Sequence, residues 1–154
     1  MGTEIERKFL INRELWRPPP QGLKYLQGYI YTKNNTTVRV RVVGMQGFLT
    51  LKTKTVGYSR SEYEYLIPVE DAEAMLNTMC DQPLIEKIRY KLNYQGFLWE
   101  VDEFLGDNQG LILAEIELQE EGQFFEIPPW IGKEVTADSR YYNSYLARNP
   151  FQSW

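Results

Sequence analysis

Seven stretches of this chain carry one device, like-charged residues separated by a single position: Glu4 and Glu6, Arg39 and Arg41, Lys52 and Lys54, Glu62 and Glu64, Lys87 with Arg89 and Lys91, Glu100 and Asp102, Glu115 and Glu117. Residues two apart share a face only in an extended strand, because strand side chains alternate whereas a helix sets such a pair on nearly opposite sides. The intervening phase is mostly apolar, with Val38, Val40 and Val42, Tyr63 and Tyr65, Ile88, Tyr90 and Leu92, Trp99 and Val101, Ile116 and Leu118. Seven segments built alike confine the chain to a β fold with one charged face and one packed face.

Runs rich in β-branched and aromatic residues predict eight strands, near 2–10, 24–32, 37–43, 47–54, 60–67, 85–93, 97–104 and 111–119; the second alone lacks a charged pair. Asn34-Asn35, Gly44 to Gly47, Val56-Gly57, Gln95-Gly96 and Asp107 to Gly110 supply tight turns between them, and short connections make antiparallel neighbours. Val69, Ala72, Met75, Leu76 and Met79 fall at helical spacing behind Glu70 and Asp71, which predicts one helix packed outside the sheet. Asp138 is placed to cap a second helix bearing Tyr141, Tyr142, Tyr145 and Leu146, which either covers one end of the sheet or packs on its outside. No repeat or low-complexity stretch interrupts residues 1–154, so a single domain is expected.

A charged sheet face ordinarily meets water, but a solvated face mixes Lys with Glu, and these strands sort by sign. Like charges about 7 Å apart on one strand repel unless something compensates them. Strands of opposite sign facing one another across a lumen supply part of that compensation, and a polyanion with bound cations supplies the rest. The count fits: with Lys8, the lumen phase holds eight acids and eight bases, so the formal net charge of -4 lies outside it. The acidic balance, with a pI near 5.0, argues against nucleic acid or an acidic membrane as partner. With no histidine, a Ser-His-Asp triad and a His-based metal site are excluded, which leaves carboxylate ligands and lysine chemistry. One cysteine and no apolar leader or span point to a soluble, cytoplasmic protein.

Glu4-x-Glu6-x-Lys8 at the head of this ordered set resembles the E-x-E-x-K signature of the CYTH superfamily, the triphosphate tunnel metalloenzymes. The resemblance continues through Gln27-Gly28-Tyr29, Arg39-x-Arg41, Lys52-x-Lys54, Glu62-x-Glu64, Lys87-x-Arg89, Glu100-Val101-Asp102 and Ala114 to Leu118, and ends in Thr136-x-Asp138-x-Arg140-Tyr141 with Asn143. It implies an eight-stranded closed antiparallel β-barrel with a few flanking helices and a triphosphate bound inside. Carried over position by position, Glu4, Glu6, Glu62, Glu64, Asp102, Glu115 and Glu117 become candidate metal ligands or supports, foremost Glu4, Glu6, Glu115 and Glu117, with Mg²⁺ or Mn²⁺ suited to such hard oxygen donors. Lys8, Arg39, Arg41, Lys52, Lys54, Lys87 and Arg89 become candidate phosphate binders. In small bacterial inorganic triphosphatases, which this compact form most resembles, the K-x-R lysine is proposed to help activate water. That role would fall on Lys87, with water activated on the metal an equal contender. The resemblance therefore implies hydrolysis of a small triphosphate, most readily inorganic tripolyphosphate. ATP cyclisation, thiamine or nucleoside triphosphate hydrolysis and a non-catalytic polyphosphate-binding barrel are the alternatives.

Alternation also sorts the remaining features. Trp99 falls in the packed phase, Cys80 reads as a small core residue, and Arg7 and Arg60 read as solvent-facing. Tyr25, Gln27, Tyr29 and Tyr31 share one face of the second strand, at the tunnel mouth or beneath a loop.

Overall fold

The computed structural model describes residues 2–154. The eight expected strands are β1 (Gly2–Ile11), β2 (Gly22–Ile30), β3 (Thr37–Val43), β4 (Gln46–Lys52), β5 (Ser59–Ile67), β6 (Ile85–Tyr94), β7 (Phe97–Phe104) and β8 (Ile112–Glu117). Every neighbouring pair is antiparallel, in the order β5-β4-β3-β2-β6-β7-β8-β1, and β1 returns to β5 to close the barrel. Strand β1 crosses the seam obliquely: Gly2 to Ile5 pair with β5, while Glu6 to Leu10 pair with β8. That stagger is what strand tilt imposes on a closed sheet, and closure leaves the charged phase no route to bulk water except through the ends.

A ninth strand, β9 (Ile131–Glu134), was not expected. It occupies the side of β1 that β5 vacates, with Phe9 opposite Glu134 and Ile11 opposite Ile131. Four residues give too short a run for periodicity to register. Its Gly132 reads as a breaker, yet a Cβ there would sit 3.2 Å from the Leu10 carbonyl oxygen, tighter than an ordinary contact, so the glycine suits the close approach of β9 to β1. Arg7, expected in solvent, instead donates to Glu134 at 2.8 and 2.5 Å and fastens β9 to the barrel.

The packed phase faces outward beneath two apolar layers. Trp99, Val101, Ala114 and Ile116 lie under loop aromatics, with Trp99 edge-on to Phe125 and Trp130, both at 5.9 Å between centroids. Helix α1 (Val69–Thr78) lays Ala72 and Leu76 on Val40, and Cys80 completes that cluster. Burial first, then Asp81, pushes the Cys80 thiol up to about 11, which keeps it unreactive near neutrality.

The third cluster closes one end of the barrel. Leu10, Tyr29, Ile85, Phe104 and Leu113 are in lumen phase, but at this end the lumen phase turns from charged to apolar, and Leu146 and Ala147 pack into it. The expected single C-terminal helix is broken. Asp138 accepts from the Arg140 N–H at the start of a 3-10 turn, Ser139–Tyr141, and α2 (Asn143–Leu146) begins afresh after Tyr142, whose ψ of 136° leaves the helical region. The break turns Tyr142 and Asn143 toward the lumen while Leu146 seals the end. No helix among the described residues is long and apolar enough to cross a membrane.

Candidate active site

The lumen is a cavity of about 510 Å³, within the range of small-molecule sites. Its walls divide by sign. Contiguous strands β7, β8, β1 and β5 contribute Glu100, Glu115, Glu117, Glu4, Glu6, Glu62 and Glu64, with Lys8 and Arg60 the two cations among them, whereas the charges from β4, β3 and β6 are all cations, Lys52, Arg39, Arg41, Lys87, Arg89 and Lys91. Register sets like charges directly opposite each other, with Glu6 facing Glu117 and Glu100 facing Glu115. Such pairs destabilise a sheet unless a cation lies between them.

Several charges are already matched. Lys52 Nζ donates to Glu4 at 3.0 and 3.1 Å and lies 3.2 Å from Glu62; Lys8 lies 3.5 Å from Glu115; Arg39 reaches Glu64 at 3.3 Å. Arg60 lines the cavity and donates to Glu4 at 3.3 Å, correcting the expectation of a solvent-facing residue. Position 60 shares the parity of Glu62 and Glu64, and that signal would have placed it.

Three groups remain unmatched among the described residues, since no ion pair reaches Glu6, Glu117 or Arg41. Burial first, then Glu115 and Glu4, raises the Glu6 carboxyl from 4.5 to about 8. Burial with Glu4, Glu62 and Glu100 raises Glu117 as well. Burial opposes charge on Glu115 too, but Lys8, Arg89 and Lys87 hold that carboxyl well below its ordinary range. On the opposite wall, burial with Arg39 and Arg89 pulls the Arg41 guanidinium below its ordinary value, and Arg39 Nε is buried with no hydrogen-bond partner. Excess negative charge on one side and unsatisfied donors on the other describe a place for a cation beside an anion.

At the closed end, Arg89 grips Asp102 with both nitrogens, Nε to Oδ1 at 2.7 Å and Nη2 to Oδ2 at 2.8 Å, and Lys87 Nζ shares Oδ2 at 2.8 Å. Asp102 is 1% exposed and lies behind the two cations, outside the cavity lining. Burial opposes its charge, but Arg89 and then Lys87 hold the carboxyl down to about 2. Because Arg89 takes most of that carboxylate, burial dominates at Lys87, and with Arg89 and Arg41 nearby it brings the amine down to about 7. Of the two roles the sequence leaves open for Asp102, metal ligand or support, its contacts with Lys87 and Arg89 are those of a support. Lys54 lies two residues past the end of β4, exposed and outside the lining. Trp99 keeps to the outer core, as its phase required. Of the tyrosine face, Tyr25 and Tyr29 line the lumen, Gln27 is buried behind it, and Tyr31 is exposed.

The CYTH resemblance implies a divalent cation, and the donor set fits one. Among the described residues no three acidic or thiol side chains converge as a finished metal cage. A cage is not what Mg²⁺ or Mn²⁺ needs in phosphoryl transfer, where one or two carboxylates share the ion with phosphate oxygens. Glu6, Glu117 and Glu115 are placed to do that.

The proton on Glu6 gives a stability test. A folded-state carboxyl raised above its unfolded value contributes stability that is complete below pH 4.5 and fades as pH climbs toward 8. Lys87, lowered to about 7, acts with opposite sign only above that pH. Thermal melts of metal-free protein therefore fall from pH 5 to pH 7, and Glu6→Gln flattens the slope; equal slopes would place the proton elsewhere.

Comparison with known proteins agrees with this geometry. The CYTH domain family profile matches residues 2–145. An inorganic triphosphatase of Acetivibrio thermocellus is 50% identical over 154 residues, covering 100% of this chain and 99% of that protein. An inorganic triphosphatase of Nitrosomonas europaea is 41% identical over 153 residues, covering 94% of this chain and 97% of its own. A crystal structure of an inorganic triphosphatase superposes with a TM-score of 0.66 at 36% identity, over 93% of this chain and 96% of that one. With its ordered charged pairs inside a closed eight-stranded barrel, the chain belongs to the CYTH family.

Proposed function

We propose that this chain is one cytoplasmic domain that hydrolyses inorganic tripolyphosphate to pyrophosphate and phosphate with Mg²⁺ or Mn²⁺. The observation that carries the reading is the division of the lumen into an acidic wall with unmatched Glu6 and Glu117 and a basic wall with unmatched Arg41. Beside Val43, Phe48 and Tyr58 the aromatic lining is Tyr25, Tyr29 and Tyr142, and these three are already engaged: Arg41 and Arg89 each lie 4.9 Å from the Tyr25 ring, Lys8 lies 5.6 Å from the Tyr142 ring, and the Tyr29 hydroxyl accepts from Gln27. That leaves polar walls suited to phosphate rather than a pocket for a base or a thiazole.

In this reading Arg39, Arg41 and Arg89 hold phosphate oxygens, and Lys52 and Arg60 keep Glu4 and Glu62 in place on the acidic wall. A divalent cation would be held by Glu6, Glu115 and Glu117, and when bound it would supply neutralising charge to the phosphate chain. Lys87 receives the proton of the attacking water at Nζ as the water oxygen bonds to the terminal phosphorus. The bond from that phosphorus to its bridging oxygen breaks, and the electron pair leaves with pyrophosphate. An amine near 7 is matched to that task at neutral pH.

Phosphate release from tripolyphosphate, ATP and thiamine triphosphate, each with Mg²⁺ or Mn²⁺ and with cyclic AMP assayed alongside, tests the proposal. Tripolyphosphate is expected to turn over at least about tenfold faster than either organic triphosphate, the margin a dedicated organic-group contact would otherwise erase. Cyclic AMP as the sole product, or tripolyphosphate binding without turnover, would overturn it.

A further inference from the structure

Lys87 is held by more than its salt bridge. Its Nζ is paired by charge with Asp102 Oδ2 at 2.8 Å and donates a hydrogen bond to Asn143 Oδ1 at 3.0 Å, with the Phe104 ring centroid 5.6 Å away. Asn143 comes from the C-terminal segment, far from the barrel strands in sequence, and reaches the lumen only because the backbone breaks at Tyr142. Its amide orientation is forced. Gln27 Oε1 accepts from Arg41 Nε at 2.9 Å, so Gln27 must turn its Nε2 outward as a donor, to the Tyr29 hydroxyl at 2.8 Å and to Asn143 at 3.3 Å. With donors arriving from both Gln27 and Lys87, Asn143 presents its oxygen.

An aliphatic nitrogen has three hydrogen-bonding directions beyond its bond to Cε. Asn143 on α2 fixes one of them as a hydrogen-bond acceptor, and Asp102 on β7, paired by charge at 2.8 Å, occupies a second side of the nitrogen. The third is left for the cavity that Lys87 lines. We propose that Asn143 is a positioning residue, which by accepting from Lys87 Nζ directs the remaining position of that nitrogen at the reacting end of the triphosphate. With only Asp102 as partner, the amine would rotate about its Cδ–Cε and Cε–Nζ bonds and point productively for a fraction of the time. The Arg41-Gln27-Asn143-Lys87 chain also ties a phosphate-binding guanidinium to the amine, so phosphate position and amine direction are set together.

This inference rests on the proposed hydrolysis and is tested on the full chain. Asn143→Leu keeps the size and removes the acceptor, whereas Asn143→Asp keeps the acceptor and adds charge. The Leu variant is expected to lose about tenfold to a hundredfold in kcat, the scale of a misdirected catalytic group. Its KM should stay within about threefold of wild type, as should tripolyphosphate affinity measured calorimetrically in chelator, because a misdirected group is lost from the transition state rather than from ground-state binding. The Asp variant keeps the acceptor but its charge favours the protonated amine, so kcat is expected to recover to within about threefold on the alkaline side of the wild-type optimum, while KM rises because repulsion of a polyanion is a binding effect. Asn143→Ala makes the same comparison if the Leu variant does not fold. Wild-type kcat in the Leu or Ala variant, or an Asp variant no faster than either on that alkaline side, would overturn the assignment. Failure of wild type to turn over tripolyphosphate would instead bring down the function itself.

Discussion

Asp102→Asn is expected to destabilise the metal-free protein by about 3–5 kcal/mol, the scale on which removing one member of a buried ion pair acts. For a chain of this size that lowers Tm by roughly 10 °C or more. The change is nearly isosteric, so cavity formation contributes little and the loss is electrostatic. Arg89, whose guanidinium does not give up its proton, keeps a buried charge without its bidentate partner, while Lys87 escapes by becoming neutral. The carboxyl held at about 2, against an ordinary 3.8, sets the acid limb: its contribution is complete above the ordinary value and lost as pH falls through about 2. Asp102→Asn should therefore flatten stability across that acid range. Tripolyphosphate without metal should return part of the loss by supplying anionic oxygens to Arg89. A carboxylate serving only as a metal ligand would leave metal-free stability unchanged or higher when neutralised, so calorimetric melts of the two proteins in chelator separate the roles.

The place of Asp102 behind Lys87 and Arg89 marks where sequence periodicity stops being informative. A period of two says which face a side chain takes, and it placed Glu4, Glu6, Lys8, Arg39, Arg41, Lys52, Glu62, Glu64, Lys87, Arg89, Glu115 and Glu117 correctly on the lumen wall. It does not say what stands opposite. Glu100 and Asp102 are indistinguishable by phase, and only the β6–β7 register, which sets Arg89 against Asp102 and Lys91 against Glu100, buries one and leaves the other at the cavity. Lys54 continues the alternation of Lys52 on paper, but regular pairing with β5 ends at Lys52 and Glu62; beyond it remain the Thr53 N–H bond to Ser61 and an isolated Val56–Ser59 bridge, and there the alternation no longer sets the face.

The closed end was legible in principle. Leu10, Tyr29, Ile85, Phe104 and Leu113 continue the charged phase as apolar residues on five strands, which tells of a lumen filled by protein at that level. What fills it was not legible. Helical spacing of Tyr141, Tyr142, Tyr145 and Leu146 reports burial without reporting the break at Tyr142, and it is the break that sends Asn143 to Lys87.

A lumen built around a cation and a polyphosphate carries its carboxylates at the expense of stability, and Glu6 shows the conflict most sharply. Glu6→Gln removes a carboxyl crowded by Glu115 and Glu4 and keeps its volume, so at pH 8 the metal-free variant should melt at or above the wild-type temperature. The same substitution withdraws a donor from the acidic wall where the cation must meet phosphate. Loss of several kcal/mol of transition-state stabilisation corresponds to roughly a hundredfold or more in turnover. The deciding measurement is kcat for tripolyphosphate with saturating Mg²⁺ or Mn²⁺ at pH 8, taken beside the chelator melt of the same preparation. A Glu6→Gln protein at least as stable as wild type and at least about a hundredfold slower is the outcome a metal-and-triphosphate lumen requires; an equally stable variant with wild-type turnover would contradict it.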